Sequence, residues 1–91
     1  MTDREIKLNE LFMRINRELI RYNVCKIRTR EFPYVEYVIK RKNNYFLLSS
    51  NHSFKTDYGA INYDVIKIHS LDEFMSMIVR LKNNEFYVVR G

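Results

Sequence analysis

The apolar positions of the first quarter of the chain repeat with the period of an α-helix. Leu8, Leu11, Phe12, Ile15, Leu19 and Tyr22 follow i, i+3, i+4, i+7 spacing without an intervening Gly or Pro, which predicts an amphipathic helix from Asp3 to Tyr22. Thr2 is suited to cap its N-terminus, Asp3 and Glu5 favour the positive end of the helix dipole, and Asn23 is a natural stop. The period then changes to two. Between Val24 and Arg30, Cys25, Ile27 and Thr29 alternate with Lys26, Arg28 and Arg30, the pattern of a strand with one apolar and one basic face. Pro33 marks a turn or edge before a second strand from Tyr34 to Arg41. Lys42-Asn43-Asn44 reads as a tight hairpin, since Asn tolerates positive φ, and a third strand runs from Tyr45 to Ser49. Ser50 to Ala60 is the longest polar stretch and is expected to be a loop, followed by a strand from Ile61 or Tyr63 to Ile68.

The C-terminal part has a clear local grammar. Ser70-Leu71-Asp72-Glu73 matches a capping box, and Leu71, Phe74, Ile78 and Leu81 form the apolar stripe of a second helix reaching about Lys82. Arg80 and Lys82 suit its C-terminal end, Asn83-Asn84 breaks it, and Glu85 to Arg90 is a last strand. The order is α-β-β-β-β-α-β. Two apolar helix stripes and several half-apolar strands predict a single two-layer α+β domain over residues 1–91. Both helices are expected on one face of a mainly antiparallel sheet of four or five strands.

The first helix carries more than one stripe. Ile6, Met13 and Ile20 recur every seven residues on a side separated from the main stripe by Asn9 and Asn16, while Lys7, Arg14 and Arg21, joined by Arg17, form a basic strip. Two accounts of Ile6, Met13 and Ile20 stand side by side. A wide domain core could wrap onto them, or they could form an intermolecular contact, either a homodimer through this helix or a docking site for a partner, since a seven-residue apolar repeat keeps one seam facing another. Methionine at the centre suits an adaptable contact.

Composition narrows the class. Ninety-one residues make one domain near the lower end of sizes that hold a core without staples. The lone Cys25 allows neither an internal disulfide nor a cysteine zinc cluster. The charged N-terminal residues do not resemble a signal peptide, and no apolar window is long enough to span a membrane, so a cytoplasmic protein is expected. Asn, Ile, Lys, Tyr and Phe supply 38 of the 91 residues, against one Ala and no Gln, a bias that A/T-rich coding produces. The net charge is +5, and residues 1–42 hold all of the excess, with eleven Lys/Arg against six Asp/Glu. This asymmetry offers a basic surface to a polyanion or an acidic protein, or serves solubility alone.

Candidate chemistry is sparse. His52, Ser53 and Asp57 share one polar stretch without a nucleophile elbow, and His69 precedes the capping Ser70. Cys25 falls on an apolar strand face, where an inert thiol is expected. These residues lack metal-ligand spacing, and the two glycines cannot build a phosphate-cradling loop, so neither metal nor cofactor is expected. One enzyme class remains: small basic ribonucleases of the toxin kind, which work from a cationic sheet face. The expectation is a non-enzyme that binds a macromolecule.

Two classes of partner compete. Lys26, Arg28 and Arg30, with Lys40 or Arg41 from the next strand and Tyr34, Tyr37 and Tyr45 nearby, could hold phosphates and stack bases, although the tyrosines could equally be half-buried sheet residues. Protein binding ranks ahead. The segment Val65-Ile66-Lys67-Ile68-His69-Ser70-Leu71-Asp72-Glu73-Phe74, followed by Phe86-Tyr87-Val88-Val89, resembles the strand–capped helix–strand tails of small phage-encoded anti-defence proteins of low-GC hosts, anti-CRISPR inhibitors among them. The likeness covers about a quarter of the chain. It implies a stoichiometric inhibitor of a host defence or regulatory protein or nucleoprotein. A chain of charge +5 departs from the acidic, nucleic-acid-mimicking surface frequent among such inhibitors.

Overall fold

The computed structural model describes residues 2–32, 34–50, 54–56, 59–61, 65–79 and 85–89. The first helix, α1, spans Asp3–Tyr22. Its ends are set by the residues beside them. The Thr2 hydroxyl accepts from the Glu5 amide at 3.2 Å. Asn23 adopts a left-handed conformation (φ 61°) and returns its amide to the Leu19 carbonyl at 2.9 Å, satisfying a helix-end acceptor.

The strands follow as β1 (Val24–Thr29), β2 (Glu36–Arg41), β3 (Phe46–Ser50), β4 (Phe54–Thr56), β5 (Gly59–Ile61) and β6 (Val65–Ile68); α2 (Leu71–Val79) and β7 (Phe86–Val88) complete the order. Five strands form one antiparallel sheet in the spatial order β6-β3-β2-β1-β7, and β4 pairs with β5 as a separate two-stranded unit. The predicted α+β architecture is therefore present, with one correction. The stretch from Ser50 to Ala60, expected to be a loop, contains β4 and β5, and Ile61 ends β5 rather than opening the next strand, which begins at Val65. Strands of three residues are shorter than the alternation that makes a strand visible in a sequence. Pro33, Tyr63 and the last turn expected for α2, from Arg80 to Lys82, lie outside the described residues.

Register decides which side chains share a face. Cys25 pairs with Ile39, Ile27 with Tyr37 and Val88, Thr29 with Phe86, Leu48 with Ile39, and Ile68 with Phe46. All of these lie on one side of the sheet. That side meets Leu11, Ile15 and Leu19 of α1 and Leu71, Phe74 and Ile78 of α2 in one core. Both helices therefore cover the same face. Tyr37 packs edge-on to Phe74 with ring centroids 5.3 Å apart, and burial pushes its phenol pKa up. The buried polar Thr29 is satisfied: its hydroxyl accepts from the Val35 amide at 2.9 Å and donates to the Glu31 carbonyl at 3.3 Å, pinning the β1–β2 connection. No described helix is long and apolar enough to cross a membrane.

Candidate functional site

The first candidate surface is the outward side of α1. At 100° per residue, the direction of Ile6, Met13 and Ile20 lies about 160° from that of Leu11, Ile15 and Leu19. The packing agrees: Ile15 is 1% exposed, whereas Ile6, Met13 and Ile20 are 42%, 61% and 63% exposed. The three residues do not extend the core. They form a ridge on the far side of the helix, the place where a surface helix ordinarily carries polar residues.

The basic strip lies beside this ridge. Lys7 and Arg14 line a groove of about 520 Å³ between α1 and β7, together with Arg4, Arg30, Glu85 and Tyr87. Much of the groove's charge is engaged within the fold. Lys7 Nζ is 3.5 Å from Glu85 Oε1, and Arg4 Nη2 donates to the Val79 carbonyl at 2.7 Å, at the C-terminal end of α2 where a cation is favoured. Arg17 and Arg21 are exposed on α1 next to the apolar ridge.

The second candidate surface is the sheet face opposite the helices. Lys26 pairs with Val38, Val24 with Lys40, Arg28 with Glu36 and Tyr87, and Leu47 with Lys40 and Lys67, so these residues share that outer face. The alternation of β1 is as expected, but its charge is partly neutralised. Arg28 donates through Nε and Nη2 to Glu36 Oε2 at 2.9 and 2.8 Å, and Lys26 Nζ lies 3.1 Å from Glu36 Oε1. The Arg28 hydrogen bond, supported by Lys26, holds the Glu36 carboxyl below the usual carboxylate range, against the opposing effect of desolvation. Arg30 follows the end of β1, where its amide donates to the Glu85 carbonyl at 3.1 Å. Its guanidinium lies over the Tyr87 ring, 5.3 Å from the centroid. At the opposite end of the face, Lys67 Nζ sits 4.3 Å from the Tyr45 ring centroid.

The three tyrosines expected near the basic residues separate. Tyr45 lies on the outer face, and Tyr37 turns into the core, where it cannot stack on a ligand. Tyr34 lies in the β1–β2 connection, edge-on to Phe32 at 5.9 Å, and both are exposed, Phe32 at 82%. Of the two strand cations proposed to join β1, Lys40 is on the outer face, whereas Arg41 turns to Asn23 Oδ1 at 3.0 Å. Sequence reasoning did not single out Lys67, Tyr87 or Glu36. The alternation of Tyr45-Phe46-Leu47 and of Val65-Ile66-Lys67-Ile68 was the available signal, but the pairing of those strands was not.

Cys25 is buried, and its thiol is pushed up to about 11, first by desolvation and then by Glu18, with Arg14 acting in the opposite direction. At neutral pH it is a thiol and not a nucleophile. His69 is exposed ahead of α2, whose Ser70 hydroxyl accepts from the Glu73 amide at 3.4 Å. His52, Ser53 and Asp57 lie outside the described residues. Comparison with protein-family models, curated proteins and solved structures finds no match for this chain.

Proposed function

We propose that this protein acts by binding another protein stoichiometrically, with the outward ridge of α1 as its recognition surface. The observation that carries this reading is the exposure of Ile6, Met13 and Ile20 opposite the core stripe of the same helix. Completing the burial of these side chains, from their present exposures, is worth about 2.5–5 kcal/mol at roughly 1.5–3 kcal/mol per side chain. Association costs on the order of 4–15 kcal/mol, so the ridge needs a partner that supplies further contacts. A concave apolar groove does so, receiving the helix through anchors one and two turns apart.

Charge selects the kind of groove. Arg14, Arg17 and Arg21 border the ridge, and an acidic rim on the partner complements them. A second copy of the chain fits less well. Two convex helices meet along a seam of about 21 Å, at 1.5 Å per residue over fourteen residues. In an antiparallel self-pair the three arginines fall on the same side as their symmetry mates. The strand–capped helix–strand tail and the A/T-rich coding bias support a phage-encoded inhibitor of a host defence or regulatory protein as the biological setting.

The test compares wild type with Met13→Glu and Arg17→Glu in affinity capture from nuclease-treated host lysate, with sedimentation velocity of the purified chains alongside. The reading expects one protein retained at a near-equal molar ratio, lost with Met13→Glu and weakened with Arg17→Glu, while both variants stay folded. A wild-type dimer dissociated by Met13→Glu would replace the foreign partner by a second copy. Folded Met13→Glu protein that binds and sediments as wild type does would refute the assignment of this surface.

A further inference from the structure

The outer sheet face lies on the side of the sheet away from α1, meets the α1–β7 groove only at its Arg30–Tyr87 end, and stands independently of the reading above. We propose that it is a binding platform for single-stranded nucleic acid, running diagonally from Lys67 and Tyr45 through Lys40, Lys26 and Arg28 to Arg30 and Tyr87.

Register places these residues in order. Lys67 and Lys40 both lie opposite Leu47, on strands either side of β3, and are therefore about 9.6 Å apart at two strand spacings. Lys40 lies opposite Val24, and Lys26, Arg28 and Arg30 then advance along β1 and its extension at roughly 6.8 Å per step. The line crosses the sheet over about 25 Å by the same spacings. Among the described residues, five cations stand along it against one carboxylate, Glu36; the neighbouring Glu85 carboxylate is drawn to Lys7 on the helix side. An excess of this sign on an open face is complementary to a polyanion.

Two further observations select an unpaired strand over a duplex. Each end of the line carries a tyrosine ring beneath a cation, Tyr45 under Lys67 at 4.3 Å and Tyr87 under Arg30 at 5.3 Å. A base entering beside either ring finds a stacking surface and a phosphate partner together, which only a strand with unstacked bases can use. Both described helices pack on the other face of the sheet, so neither is placed here to enter a duplex groove. Glu36 restrains the affinity, since it holds Lys26 and Arg28 in its own hydrogen bonds.

This arrangement yields a gain-of-function test that unfolding cannot imitate. The probes are fluorescein-labelled oligo-dT and oligo-U of about twelve nucleotides, within the range of site sizes seen for such platforms, and a duplex of equal length. Binding is followed by anisotropy across a salt series. Wild type is expected to bind both single strands more tightly than the duplex, with log affinity falling by about 0.7 per phosphate engaged for each tenfold rise in salt. Lys40→Ser and Lys67→Ser together should reduce that slope by about 1.4. Tyr45→Ala and Tyr87→Ala should each lower affinity on the order of tenfold. Glu36→Gln should raise affinity and steepen the slope. Circular dichroism confirms the fold of each variant, and Met13→Glu should bind as wild type does, separating this face from α1. Absence of binding at low salt overturns the proposal. So does binding to duplex and single strands alike that ignores Tyr45→Ala and Tyr87→Ala, which would reduce the face to a patch of surface charge attractive to any polyanion, an acidic protein included. Unchanged affinity in Glu36→Gln would likewise refute the role assigned to Lys26 and Arg28.

Discussion

Met13→Glu and Ile15→Ala should have opposite consequences although the two residues are almost adjacent. They point about 160° apart on α1. Ile15 is 1% exposed, in the core shared by the sheet and both helices, and truncating it should cost roughly 2–5 kcal/mol through lost burial and the cavity left behind. A 91-residue domain has a total stability of about 5–14 kcal/mol, so this is a large part of it. At roughly 4–8 °C per kcal/mol for a domain of this size, the melting temperature should fall by at least about 8 °C. Met13 is 61% exposed, Met and Glu have similar helix propensity, and the new carboxylate would face Arg17 one turn on. Its substitution should therefore stay within about 0.5 kcal/mol, a melting shift below about 4 °C. Thermal and urea denaturation of both variants decide the matter. A Met13→Glu protein that loses 10 °C, or an Ile15→Ala protein that loses nothing, would refute the facing of α1 and with it the argument for an external ridge.

Three other expectations follow from single contacts. The Glu36 carboxyl titrates below its unfolded value near 4.3, so its contribution to stability is complete above that pH and lost as pH falls through the folded value; Glu36→Gln should remove this component from the acid limb, as NMR titration and acid denaturation of the two proteins would show. A Glu36 titration at or above 4.3 would contradict the clamp. Cys25, buried with its pKa near 11, should resist thiol reagents at pH 8 and react at full rate only in denaturant; rapid modification of the native protein would contradict its placement. Asn23→Ala should cost about 1–2 kcal/mol, because Ala tolerates φ 61° less well than Asn and Arg41 loses its Oδ1 partner, whereas Asn23→Gly should lose only the latter effect; equal melting temperatures for the two variants would count against this account.

Local rules were enough for much of the fold. The helix Asp3–Tyr22 is delimited by Thr2 and Asn23 and follows an unbroken stripe, and these features act within one or two turns. The alternation of Val24–Thr29 separates Cys25, Ile27 and Thr29 from Lys26 and Arg28 in the same local way. The capping serine ahead of α2 is equally plain. By contrast β4 and β5, which pair with each other, had no legible pattern, since three residues are too few for an alternation to show inside a polar stretch.

The candidate surfaces divide along the same line. A helical wheel showed that Ile6, Met13 and Ile20 share a side, but it states an angle and not what stands opposite. Only the packing of α1 on the sheet turned that side to solvent. The basic face of β1 was legible, yet its neutralisation by Glu36, the descent of Tyr37 into the core, and the arrival of Lys67 and Tyr87 at the two ends of the line were not. Each depends on register between strands distant in the chain, β7 beside β1 and β6 beside β3. Periodicity is a property of neighbours along the backbone and survives in the sequence. Register is chosen by the whole core at once, because a shift of one residue would send every side chain of a strand to the other face, and so it exists only in the folded protein.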